Sequence, residues 1–295
     1  MKRFFLPSVA ICVAAAGITA FGGVASATTI GSADVVFVVD ESGSMGGEHQ
    51  FLEDVIPDLD AVLGAKSISG NYAVIGYGNS SVVPRIVRNF GTAAATSTGL
   101  VADLDLNGGT EDGYAGMGFA LNNLSFTGDA INFILVTDED RDDRVNCTSF
   151  GCVSGLPDSF SEMLAALNLK NVVLNAVLSL NLNGGALGYD GTTSYGPDGS
   201  GGFSESAGGG YSSSNSLGQD YGDLALQTGG AVWDLNILRS GGSNALSFAS
   251  AFINVKVEEI EDQIQQPSPI PLPAAGWLLL LGVGGLAALK RRKTA

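Results

Sequence analysis

The stretch Asp34-Val-Val-Phe-Val-Val-Asp40-Glu-Ser42-Gly-Ser44 constrains this chain more than any other. An apolar run rich in β-branched residues, without polar alternation, is how a strand buried on both faces of a parallel sheet reads. This one ends abruptly in a carboxylate followed by two hydroxyls. In open α/β sheets the carboxyl ends of the strands are where ligands bind. Hard cations such as Mg²⁺ and Ca²⁺ take oxygen donors. The stretch therefore reads as the first half of a metal site.

Further along, Glu48, Phe51, Leu52, Val55, Ile56, Leu59, Val62 and Leu63 recur at helical spacing, with Pro57 expected to kink or break the helix. A hairpin follows, from Tyr72–Tyr77 through a polar turn to Val82–Phe90, and Pro84 places its second strand at a sheet edge. Thr92 to Leu104 reads as a short helix. Leu106-Asn-Gly-Gly-Thr110-Glu-Asp-Gly113 is a glycine-rich loop opening another helix. Ile131 to Thr137 is a second buried strand, and it too ends on an acid, Asp138. A helix at 159–167 and a third buried strand at 171–180 follow. Residues 181–216 are dominated by Gly, Ser, Asn, Asp and Tyr and read as an insertion ordered by contact or flexible. A helix (217–228), a strand (231–235) and a helix (244–258) finish the domain. Strands alternating with helices predict an α/β fold. The expected form is a doubly wound, mostly parallel Rossmann-like sheet, with helices on both faces and one antiparallel edge strand.

Both termini look like addresses. Lys2 and Arg3 precede an apolar run to Phe21, and Ala25-Ser-Ala27 supplies small residues for cleavage, so residues 1–27 read as a secretory signal peptide. A retained N-terminal membrane helix is the alternative, against which Gly17, Gly22 and Gly23 interrupt the run. At the other end a Pro-rich linker (261–273) leads into a sorting signal (267–295). Ile270-Pro271-Leu272-Pro273-Ala274 precedes a membrane helix at about 274–289 and then Lys290-Arg-Arg-Lys293. The basic cluster stays cytoplasmic and leaves the rest of the chain outside. This tripartite tail resembles the PEP-CTERM family of sorting signals. The resemblance implies an exosortase-type sorting enzyme as partner and a Gram-negative bacterium. It also implies inner-membrane anchoring before any cleavage, then the cell surface or extracellular matrix. A plain C-terminal anchor is the alternative.

Six of the 14 basic residues lie in these two signals, so the body between them carries 30 acidic residues against eight basic ones. Such a body argues against nucleic acid or anionic lipid as a partner. Of the three cysteines, Cys12 leaves with the signal peptide. Cys147 and Cys152 form an even pair in an oxidising compartment and are expected to close a small disulfide loop. One His and two Cys do not supply the four ligands of a structural zinc site.

Asp40, Ser42, Ser44, Thr110 and Asp138 thus come from three separated segments that a parallel sheet would bring to one rim. In this pattern the chain resembles the von Willebrand factor type A domain, over residues 32–260, with its metal-ion-dependent adhesion site. The resemblance implies that Ser42, Ser44 and Thr110 bind the metal through hydroxyls, and that Asp40 and Asp138 hold it directly or through water. It implies Mg²⁺ first, with Ca²⁺ or Mn²⁺ as alternatives. An open position would accept a carboxylate from an Asp or Glu of a partner. The expected function is an exported binding module that engages a protein or glycan through the cation. A structural component of an exopolysaccharide or biofilm matrix is the second reading. One departure from the family stands out: Asp138 is followed by Glu139, Asp140, Asp142 and Asp143, interleaved with Arg141 and Arg144.

Ser42-Gly-Ser44-Met-Gly46 is a near miss of a nucleophile elbow. Its base could only be His49, the one histidine, which the apolar pattern turns outward on the following helix. No phosphate-binding loop is present, and the chain is not expected to be an enzyme.

Overall fold

The structure, a computed structural model, describes residues 30–80, 83–142 and 155–265. Its first strand, β1 (Gly31–Asp40), is buried from Ala33 onward. Val35, Phe37 and Val39 face one core and Val36 and Val38 the other. The helix α1 (Glu48–Ala65) then packs Phe51, Leu52, Val55 and Leu59 on the first core. It runs through Pro57 without a break, because that residue lies on the exposed face, where the freed carbonyl can meet water. The hairpin β2 (Ile68–Tyr77) and β3 (Arg85–Gly91) is antiparallel as expected. The short helix after it is two pieces, α2 (Ala93–Ser97) and α3 (Leu100–Asp103), separated at Gly99, whose φ of +69° is a left-handed conformation glycine adopts without strain.

Next come α4 (Gly113–Asn123), β4 (Ala130–Thr137), α5 (Phe160–Leu169) and β5 (Val172–Leu178). Three short strands follow inside the glycine-rich segment: β6 (Gly188–Tyr189), β7 (Thr193–Pro197) and β8 (Phe203–Ala207). A π turn (Gly218–Gly222), α6 (Asp223–Gln227), β9 (Val232–Asp234), α7 (Leu235–Arg239) and α8 (Gly242–Gln265) complete the described chain. The last helix therefore takes in residues 261–265, read above as linker. Helices α1 and α8 cover one face of the sheet; α4, α5 and α6 cover the other.

The nine strands form one sheet in the order β3-β2-β1-β4-β5-β9-β6-β7-β8. Four ladders are parallel (β1 with β2 and β4, β5 with β4 and β9) and four are antiparallel. The expected doubly wound, mostly parallel Rossmann-like sheet with one antiparallel edge strand is thus corrected: the sheet is mixed, and half its ladders are antiparallel. The cause is the segment 181–216. It has little apolar content, yet Tyr195 stacks on Trp233 with ring centroids 5.6 Å apart, and Phe203 meets Tyr195 edge-on at 6.1 Å. Gly188 has no side chain to collide with the indole, which a Cβ there would meet at 2.4 Å. These contacts let β6 pair with the free edge of β9 and carry β7 and β8 with it.

Register sets the rim that matters for function. Asp40 lies beside Tyr77, Val39 beside Val136, Thr137 beside Leu178, and Leu178 beside Asp234. Five carboxyl ends therefore share one edge of the sheet. Among the described residues, no helix is long and apolar enough to cross a membrane. The signal peptide, the sorting signal with Pro271–Ala274, and Cys147 and Cys152 lie outside the described residues.

Candidate metal centre

Asp40 ends β1 with its side chain fully buried. Its Oδ1 accepts the Ser42 amide at 2.8 Å and its Oδ2 accepts the Thr137 hydroxyl at 2.8 Å, so β1 and β4 jointly aim the carboxylate. The tight turn after β1 places the Ser42 and Ser44 hydroxyls 3.0 Å apart. Ser44 Oγ then donates to Asp138 Oδ1 at 2.9 Å, which joins the first motif to the acid that follows β4. Four of the five expected residues are thus brought together.

The fifth, Thr110, is exposed in its loop, and its buried neighbour Glu111 brings a further carboxylate to the cluster. Carboxyl oxygens of Asp40, Glu111 and Asp138 all lie within 4.8 Å of one another. Gly78, at φ +79°, leaves the space beside them open: a Cβ there would stand 3.0 Å from Asp40 Oδ1 and 3.1 Å from Glu111 Cγ. The residues fit a hard divalent cation on two further counts. Glu111 Oε2 is buried and accepts no hydrogen bond among the described residues. Every donor in the cluster is oxygen, the set that Mg²⁺ and Ca²⁺ prefer.

The electrostatics point the same way. Burial first, and then the charge of Asp138, raises the pKa of Asp40 above the usual carboxylate range. Burial, then the charges of Asp40 and Glu139, pushes Glu111 up to about 8. Like charges crowded in a desolvated place cannot all ionise without a counter-charge.

Two arginines hold the rim together, and neither role is evident from the sequence. Arg239, at the end of α7, donates to Asp138 Oδ2 at 2.9 Å and pairs with the buried Glu48 at the start of α1. Arg141, whose side chain is only 3% exposed, forms a two-pronged pair with Asp112 at 2.8 and 2.9 Å. It also donates to the Asp158 carbonyl at 2.7 Å and lies over the Tyr114 ring at 4.0 Å. Asp142 exchanges two hydrogen bonds with the Glu111 backbone, at 2.9 and 3.0 Å. The acidic run after Asp138 therefore clamps the loop that delivers Glu111.

The expectation that His49 faces outward is corrected. Its ring is fully buried, and Nε2 donates to the Asp40 carbonyl at 3.1 Å. The entry to α1 sits beneath the rim, so both Glu48 and His49 are enclosed despite the apolar periodicity that follows them.

A pH dependence follows from the crowded carboxyls. A carboxyl whose folded pKa lies above its unfolded value contributes stability that is complete below the unfolded pKa and is lost as pH rises through the folded one. For Glu111 that window runs from about 4.5 to about 8. In chelator, the melting temperature of the full chain is expected to fall across this window, with Asp40 acting in the same direction. Glu111→Gln is expected to flatten the slope. Thermal melts at constant ionic strength check this, and a flat profile in the unsubstituted chain would contradict it.

No protein-family model matches the chain. No curated protein matches it either. Among solved structures, the open conformation of the pilus adhesin SpaC from Lactobacillus rhamnosus GG is similar at 16% identity. That match covers 78% of this chain and 30% of that one, with a TM-score of 0.45. The PilB minor pilin of Streptococcus sanguinis is similar at 13% identity, over 80% and 64% of the two chains, with a TM-score of 0.40. Proximal thread matrix protein 1 from the mussel byssus is similar at 15% identity, over 51% and 37%, with a TM-score of 0.36. This chain spans less than two thirds of the length of each, and likenesses this low carry no argument about what it does.

Proposed function

We propose that this chain is an exported, non-enzymatic binding module that grips a protein or glycan partner through a divalent cation. In this reading the rim is a metal-ion-dependent adhesion site of the von Willebrand A type. The observation that carries it is the meeting of Asp40, Glu111 and Asp138 within 4.8 Å, with the Ser42 and Ser44 hydroxyls beside them. Asp40, Ser42, Ser44, Glu111 and Asp138 would hold the ion, with Mg²⁺ first and Ca²⁺ or Mn²⁺ as alternatives. When bound, the cation supplies an oxygen-seeking centre for a carboxylate or sugar hydroxyl of the partner. The chain's own contribution is to fix the donors: Thr137 orients Asp40, Arg239 orients Asp138, and the Arg141 clamp orients Glu111. The C-terminal sorting signal would deliver the module to the cell surface or extracellular matrix.

The burial of Asp40 and Glu111 favours a second reading, in which the cation only stabilises the fold of a matrix component. Asp138, which keeps 11% of its side-chain surface in solvent, separates the two. Under the first reading Asp138→Ala folds, and its retention on glycan and surface-protein arrays in Mg²⁺ falls to the level seen in chelator. Under the second it loses melting temperature and no retention. Equal retention of the unsubstituted chain with and without Mg²⁺ would sink the first reading.

A further inference from the structure

A polar network crosses the sheet core below the rim, where the strands are otherwise apolar. Asn132 near the start of β4, Asn175 in β5 and Lys256 in α8 are all fully buried. A lysine is almost never fully buried unless paired. Lys256 Nζ meets Glu259 Oε2 at 2.6 Å and the side-chain carbonyl of Asn132 at 3.1 Å. The surroundings hold each partner in one orientation. Asn132 Nδ2 donates to Gln263 Oε1 at 3.0 Å, which turns its carbonyl toward the lysine. Asn175 Nδ2 donates to Glu259 Oε2 at 2.8 Å, and the Trp233 indole fixes that amide by donating to its Oδ1 at 2.8 Å. Glu259 Oε1 is buried and takes no hydrogen bond among the described residues.

We infer that Lys256 and Asn132 are the partners of an intramolecular amide cross-link, formed by the folded chain with Glu259 as the proton carrier. A fully buried amine and carboxamide lie together with a carboxyl group that keeps 14% of its side-chain surface in solvent, and proximity of this kind turns a slow bimolecular reaction into an effectively unimolecular one. Burial pulls the Lys256 pKa down and pushes that of Glu259 up, and both shifts favour the neutral amine beside a protonated acid. A lysine desolvated in this way is a nucleophile.

The balance is simple. Glu259 takes one proton from the Lys256 ammonium. The Nζ lone pair then attacks Cγ of Asn132, forming the Nζ–Cγ bond. The Cγ–Nδ2 bond breaks, a second Nζ proton goes to Nδ2, and ammonia leaves. Glu259 ends protonated, and neither oxidant nor co-reactant is needed. A cavity of about 340 Å³, lined by Asn171, Thr228, Glu259 and Gln263, adjoins the site and gives ammonia a way out.

The cross-link would join positions 124 residues apart and staple the last described helix to a central strand. A pull applied at the C-terminal end of the chain would then pass straight into the sheet instead of peeling α8 away. The inference stands on geometry separate from the metal centre, so its failure and the failure of the binding reading are independent.

Intact mass of the folded full chain, with peptide mapping to locate any processing and linkage, is the test. The expected result is a mass lower by one ammonia and a linked peptide pair joining Asn132 to Lys256. Glu259→Gln should keep the ammonia and show no linked pair, and Lys256→Arg should do the same. An unlinked wild-type mass overturns the inference without recourse to any variant. Loss of ammonia mapped instead to a succinimide at Asn107-Gly108 or Asn183-Gly184 overturns it equally.

Discussion

Chelation of divalent cations is expected to lower the melting temperature of the full chain by roughly 8–16 °C relative to a saturating cation, the largest effect we anticipate from any change of solution conditions. An ion that binds only the folded form stabilises it by about 4 kcal/mol at a thousand times its Kd. For a domain of this size each kcal/mol moves the midpoint by about 2–4 °C. Folding brings Asp40, Glu111 and Asp138 within 4.8 Å of one another, whereas the unfolded chain spreads them over positions 40 to 138. Differential scanning calorimetry in chelator, and then with Mg²⁺, Ca²⁺ and Mn²⁺ restored singly, reads the effect and ranks the ions. The increment should shrink in Asp40→Asn, which keeps the shape of the side chain and removes its charge. A melt that no cation moves would remove the metal centre from consideration.

The buried strands were plain from the residues because a short apolar run bounded by polar residues leaves few alternatives. Asp34–Asp40, Ile131–Thr137 and Asn171–Leu180 fall on β1, β4 and β5. The grouping of Asp40, Ser42 and Ser44 was equally plain, since one turn fixes all three. What stayed hidden depended on contacts distant in the chain. Strands β6 to β8 are held by Tyr195 against Trp233, a partner 38 positions away, and a local reading sees only glycine and serine. That Glu111, beside Thr110, brings a carboxylate to the cluster depends on the loop's path, which Asp142 pins from 31 positions away. Asn132 and Asn175 did carry a signal, as lone amides inside apolar strands. A polar group is kept in such a place only where it is hydrogen-bonded.

Arg141→Ala is expected to lower stability by about 3 kcal/mol and to weaken cation binding in the same variant. Breaking a buried ion pair by removing one partner typically costs about 3–5 kcal/mol, because the other charge is left uncompensated. The low end applies here, since Asp112 keeps 24% of its side-chain surface in solvent while Arg141 keeps 3%. The loss also reaches the metal centre by a short route. Arg141 fixes Asp112, Asp112 caps α4 by accepting the Tyr114 amide at 3.0 Å, and the residue before that cap is Glu111. Arg141→Lys separates charge from shape: it preserves the positive charge and gives up the two-pronged geometry and the flat contact with the Tyr114 ring. The lysine variant should therefore fall between the wild type and the alanine variant in melting temperature. Its cation affinity should lie closer to that of alanine, because positioning rather than charge is what Glu111 requires. Melts with and without Mg²⁺ measure both quantities at once. If Arg141→Ala lost stability and its Mg²⁺ increment stayed unchanged, the acidic run after Asp138 would be a structural strap with no part in holding the ion.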